Sequence, residues 1–127
     1  MLLDTHIFLW WLFDDPRLSI KIRQLVQCID NTVYISSASV WEIVTKFRLG
    51  KLPEAVSVAR NVPLWIERAG FQPLYITPEH AQLAGTWDVA HRDPFDRMLA
   101  AQAKLEKVPL VSDDMALADF PIDIIRS

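Results

Sequence analysis

The chain has 127 residues, 51% of them hydrophobic and 23% charged, with a net charge of −3. That balance fits one folded domain over residues 1–127 and excludes both a disordered chain and a strongly basic nucleic-acid coat. Its one cysteine, Cys28, excludes an intrachain disulfide and a cysteine-built zinc site, and fits a reducing cytoplasm.

Met1 to Asp4 is a short apolar run and reads as a first strand, buried on both faces and central in its sheet. Thr5 to Phe13 is apolar and reads as a helix that Asp14-Asp15-Pro16 breaks. The apolar stretch Leu2 to Phe13 contains Asp4 and His6 and lacks a basic leader and a small-residue cleavage site, so it does not read as a signal peptide. No apolar run approaches the ~20 residues of a membrane span. Ser19 to Ile29 places Ile22, Leu25, Val26 and Ile29 at helical spacing behind a Ser19 cap. Val33 to Ile35 is a second strand. Ser36 or Ser37 caps a helix through Val40, Trp41, Ile43, Val44 and Phe47 that stops near Gly50. Pro53 to Ala69 reads as one helix with a break or kink at Pro63. Pro73 to Ile76 is a third strand. Thr77-Pro78 opens a helix to about Trp87, and Asp93-Pro94 opens another through Lys107. Val108 to Val111 and Ile122 to Ile125 complete the strands.

Short apolar strands alternating with helices imply parallel βαβ units, whose ligands bind beyond the carboxyl ends of the strands. Asp4, Glu42 and Asp114 fall on or near that edge, and Asp96 joins them if its helix starts there. Clustered carboxylates repel one another and lose hydration, so they need a cation among them or a shared proton. A set of hard oxygen ligands suits Mg²⁺, with Mn²⁺ as a substitute, and both ions support phosphate chemistry.

The wording Leu2-Leu3-Asp4-Thr5-His6, Ser37-Ala38-Ser39-Val40-Trp41-Glu42-Ile43 and His91-Arg92-Asp93-Pro94-Phe95-Asp96-Arg97-Met98 resembles that of the PIN-domain nucleases, and among them the VapC-type toxins of bacterial toxin–antitoxin pairs. The resemblance covers essentially the whole chain. Each motif alone is weak, but their order and spacing together are specific. It implies an α/β/α sandwich around a mostly parallel sheet of about five strands and a Mg²⁺-dependent ribonuclease site. The family's acids fall on Asp4, Glu42, Asp96 and Asp114, with Asp113 competing for the fourth place. Asp4, Asp96 and Asp114 are expected to bind metal, and Glu42 to bind it directly, bind it through water, or orient the attacking water. The expected partners are an RNA substrate, a cognate antitoxin and a second copy of the chain.

Each of these residues also has a purely structural reading. Asp4 and Thr5 suit a helix cap, although Thr5 could instead orient a ligand carboxylate. Ser39-x-x-Glu42 fits a capping box. Asp93 reads mainly as the cap of its helix, with Asp96 one turn in, where acids favour the helix dipole. Ser112 matches the small hydroxyl residue that often precedes the fourth acid. Arg92, in a loop, is the better phosphate contact; Arg97 could touch phosphate or pair with Asp93. Lys46, with Arg48 and Lys51, could line an RNA track or form a solvated helix end. His6, His80 and His91 read as structural or surface residues. Trp10 and Trp11, with Ile7 to Phe13, are expected to leave an apolar partner surface. Two other functions compete: a PIN fold without catalysis that only binds partners, and a Mg²⁺-dependent phosphatase. The latter wants Asp-x-Asp after the first strand, where this chain has His6.

Overall fold

Leu2 and Leu3 form strand β1, and both are fully buried, as a strand covered on both faces must be. In the computed structural model, which describes residues 1–127, β1 is the middle strand of a five-stranded sheet. Beside it run β2 (Tyr34–Ser36) and β4 (Leu110–Val111), and β3 (Gln72–Leu74) and β5 (Ile124–Ile125) form the edges. Every pairing is parallel, with Leu2 opposite both Tyr34 and Leu110, and Leu110 opposite Ile124.

Alternation along the strands builds a layer on each face. Leu3, Ile35 and Val111 enter one core with residues of helices α1 (Thr5–Leu12), α2 (Ile20–Gln27), α3 (Ser37–Arg48), α4 (Val56–Ala59) and α5 (Val62–Arg68). Leu2 and Leu110 enter the other with Leu99, Ala100 and Ala103 of α7 (Pro94–Glu106). Helix α6 (Pro78–Thr86) packs along α7. The result is the expected three-layer α/β/α arrangement.

Local signals set most helix starts. Ser19 accepts from the Ile22 amide and Thr77 from the His80 amide, so α2 and α6 begin as their caps require. Gly50 and Gly70 follow α3 and α5 with φ of 75° and 76°, the left-handed turn that glycine adopts without strain.

Two expectations need correction. Pro53 to Ala69 is not one kinked helix: a 3₁₀ turn (Pro53–Ala55) leads into α4, and Asn61 caps a separate α5. Pro63 lies in the first turn of α5, where its missing N–H costs nothing; in a continuous helix it would clash with the preceding turn. The apolar face expected on α1 is only partly open, with Trp10, Trp11 and Leu12 half-buried and Phe13 exposed. Ile7, Phe8 and Leu9 are buried, and Trp10 and Trp11 pack against the core, Trp11 with its ring 6.1 Å from that of Phe71. The exposed tryptophan is Trp41, at 61%. It stands with Val44 and Tyr75 beside an apolar groove of about 830 Å³ between α3, α5 and edge strand β3.

Candidate active site

Asp4 leaves the end of β1 and caps α1, Oδ1 accepting the Ile7 amide at 2.8 Å. Oδ2 accepts from the Ser112 hydroxyl, which reaches across from the end of β4. Cap and site residue are therefore the same group. Burial pushes the Asp4 carboxyl above the usual carboxylate range, while the bonds from Ser112 and Ile7 pull the other way.

Glu42 lies on α3, only 4% exposed. The cap of α3 is Ser36, whose Oγ accepts the Ala38 amide at 2.9 Å, so Ser39 and Glu42 lie inside the helix and form no capping box. Thr5 Oγ1 lies 2.5 Å from Glu42 Oε1 and 2.9 Å from Ser39 Oγ. Having a single proton, Thr5 donates to the carboxylate and takes the Ser39 hydroxyl in return. The other oxygen, Oε2, is bonded by the Lys46 ammonium, one helical turn on.

Asp93 caps α7, Oδ1 accepting the amides of Phe95 (2.9 Å) and Asp96 (3.1 Å). Asp96 Oδ2 stands 2.9 Å from His91 Nε2. Burial pushes the Asp96 carboxyl up to about 6; the His91 bond opposes this, and the charges of Asp93, Glu42 and Asp114 add to it. Asp114 begins the turn after β4, Oδ1 accepting the Ala116 amide at 2.9 Å.

These groups meet in a cleft of about 120 Å³ lined by Asp4, Thr5, His6, Glu42, Lys46, Asp93, Asp96 and Asp114, with no hydrophobic wall. Asp113 is turned away: its carboxylate bonds the amide and hydroxyl of Ser127 at 2.8 and 2.7 Å. Arg92 is exposed and lines a neighbouring hollow with Trp41 and Phe95. Arg97 points elsewhere, its guanidinium donating to the carbonyls of Ala84, Trp87, Val89 and His91 and tying the loop before α7 to that helix.

Lys46 was read as part of an RNA track or a solvated helix end, but it sits among the acids. Partial burial works against its charge, yet the bond to Glu42 and the charges of Glu42, Asp93 and Asp96 outweigh this and raise its pKa. Its i,i+4 spacing from Glu42 was the available signal. His91 was read as structural or surface; no periodicity predicts its turn back onto Asp96. His80 is buried, its Nδ1 accepting the Thr77 amide and Nε2 facing Glu106 at 2.9 Å, a structural place.

The donor set suits a hard divalent ion: carboxylate oxygens on Asp4, Asp96 and Asp114, with one oxygen each on Asp96 and Asp114 free of any hydrogen bond from the protein. No three acidic or histidine side chains already stand gathered around one point.

The PIN domain family profile matches residues 1–122. The chain belongs to the PIN domain family. A 69-residue stretch is 39% identical to Ribonuclease VapC16 of Mycobacterium tuberculosis. That stretch is 51% of the chain and 49% of the relative, so the chain spans about half that protein's length. The PIN fold is shared over nearly the whole chain with two solved structures. One is VapBC2 from Rickettsia felis bound to a DNA fragment from its promoter, with TM-score 0.71, 16% identity and coverage of 98% and 96% of the two chains. The other is FitAcB from Neisseria gonorrhoeae, with TM-score 0.66, 18% identity and coverage of 98% and 95%.

Proposed function

We propose that this PIN domain is a metal-dependent endoribonuclease and the toxin of a toxin–antitoxin pair. The observation that carries the reading is the convergence of Asp4, Glu42, Asp96 and Asp114, from four separate chain segments, on one hydrophobe-free cleft at the carboxyl edge of a parallel sheet. A caps-only explanation accounts for Asp4, Asp93 and Asp114 but not for a buried Glu42 facing the same cleft. The stretch shared with Ribonuclease VapC16 adds the substrate class.

Asp4, Asp96 and Asp114 would hold Mg²⁺ or Mn²⁺. The ion would lower the pKa of a bound water and relieve charge on the phosphate. The protein's own groups do the rest. Ser112 and the Ile7 amide fix Asp4, His91 fixes Asp96, and Thr5 fixes Glu42. Glu42 sits where it can orient a water at the cleft floor. With a net charge of −3, the chain must grip RNA locally, and exposed Arg92 beside the cleft is placed to meet a phosphate.

The solved relatives VapBC2 and FitAcB are complexes, which supports a cognate antitoxin here. The groove beside Trp41, Val44 and Tyr75 offers an apolar surface for an antitoxin helix or a second copy. No helix is long and apolar enough to cross a membrane, and an RNA substrate points to action in the cytoplasm. The test is cleavage of single-stranded RNA in Mg²⁺ against EDTA, with Asp4→Asn as control. Metal-dependent cutting lost in Asp4→Asn is the expected result; equal cutting in EDTA, or none in either, overturns the enzyme.

A further inference from the structure

Each oxygen of Glu42 accepts a hydrogen bond from the protein. Thr5 Oγ1 holds Oε1, and the Lys46 ammonium holds Oε2. Lys46 is not a surface lysine reaching inward by chance. Its ammonium lines the acid cleft, lies 6.0 Å from the centre of the Phe95 ring, and forms with Glu42 a pair in which the carboxylate is 5% exposed. Phe95, which leads directly into Asp96, thus has its ring within reach of the ammonium, just outside the cleft lining.

We propose that Lys46 is a built-in cation of this site: it fills the position on Glu42 that a second divalent ion would take, and leaves the cleft room for one ion, on the side of Asp4, Asp96 and Asp114. The inference rests on the nuclease reading and deepens it. Charge alone would welcome a second divalent ion among so many acids. The Lys46 ammonium opposes it, because a divalent ion on Glu42 would stand at close range to that fixed positive charge. Lys46 then supplies a fixed positive charge beside the scissile phosphate, where a two-ion enzyme would use its second metal.

The test counts ions. The full chain, stripped with EDTA, is titrated with Mn²⁺ by calorimetry as wild type, Lys46→Met, Lys46→Arg and the exposed control Lys51→Met. Wild type, Lys46→Arg and Lys51→Met should bind one ion per chain, and Lys46→Met two. Without metal, Lys46→Met should melt below Lys46→Arg, because Glu42 is left buried without a cation, and Mn²⁺ should raise its melting temperature more than it raises that of wild type. Two ions in wild type, or one ion at unchanged affinity in Lys46→Met, overturns the role of Lys46 and leaves the nuclease reading intact. No Mn²⁺ binding to wild type removes both.

Discussion

The Ser112 hydroxyl donates to Asp4 Oδ2, so the turn after β4 holds the carboxylate that ends β1. Ser112 Oγ in turn accepts the Asp114 amide at 3.0 Å. One small side chain thus sets the spacing between two acids that lie on neighbouring strands. Ser112→Ala should leave Asp4 Oδ2 without its donor and lower Mn²⁺ affinity by roughly 10–100-fold. The fold should lose only about 1–3 kcal/mol. Calorimetric titration and denaturant melts read the two effects separately; unchanged affinity contradicts the link.

Asp93 and Asp96 share one helix turn and should separate cleanly. Asp93→Ala removes the cap of α7 and should cost about 1 kcal/mol of stability while keeping substantial cleavage. Asp96→Asn keeps the shape and should lose most cleavage with the fold intact. Denaturant melts and RNA cleavage on both variants decide between them: a dead Asp93→Ala beside an active Asp96→Asn reverses the assignment.

The raised Asp96 pKa fixes the sign of a pH effect. Burial pushes its carboxyl up to about 6 in the folded metal-free chain, against the ordinary 3.8 when unfolded. A group shifted upward adds stability that is fully present below the unfolded value and is lost as pH rises through the folded value. Metal-free stability should therefore fall between about pH 4 and 6, and Asp96→Asn should flatten part of that fall. Asp4 shifts in the same direction and supplies a further part. Urea melts in EDTA across this window measure it; identical slopes in wild type and Asp96→Asn refute the assignment.

Arg97 donates to four backbone carbonyls between residues 84 and 91. Arg97→Ala should cost roughly 2–3 kcal/mol, because charge-assisted bonds to these part-buried carbonyls are lost. A phosphate contact would behave oppositely, with RNA binding weakened and stability kept. Melting temperature and RNA affinity, measured on the same variant, distinguish the two.

Two tryptophans, Trp11 on α1 and Trp41 on α3, should part ways. Trp11 packs on Phe71 and the core, so Trp11→Ala should cost about 3 kcal/mol. Trp41 is exposed, so Trp41→Ala should change stability little and weaken association with antitoxin or a second copy. Light scattering and co-purification with a co-expressed antitoxin test the second; Trp41→Ala that still assembles fully excludes this face.

The sequence by itself determined what depends on near neighbours. Ser19, Thr77 and Asp93 start their helices because each offers an oxygen to an amide two or three residues on. Alternating strands and helices dictate a parallel sheet, and that in turn places Asp4, Glu42 and Asp114 toward one edge. Even Pro63 announced a break, though not that Asn61 would restart the helix. Only the tertiary structure decided which side chains meet across long separations. Asp114 faces the cleft and Asp113 faces Ser127, a choice made by the path of the chain after β4 and by where the last residue lies. Arg97 turns to carbonyls and His91 to Asp96 because the loop between α6 and α7 folds back on α7, which no periodicity encodes. Trp41 stays open while Trp11 is covered, since burial depends on which helices pack over α1 and which face of α3 they leave bare.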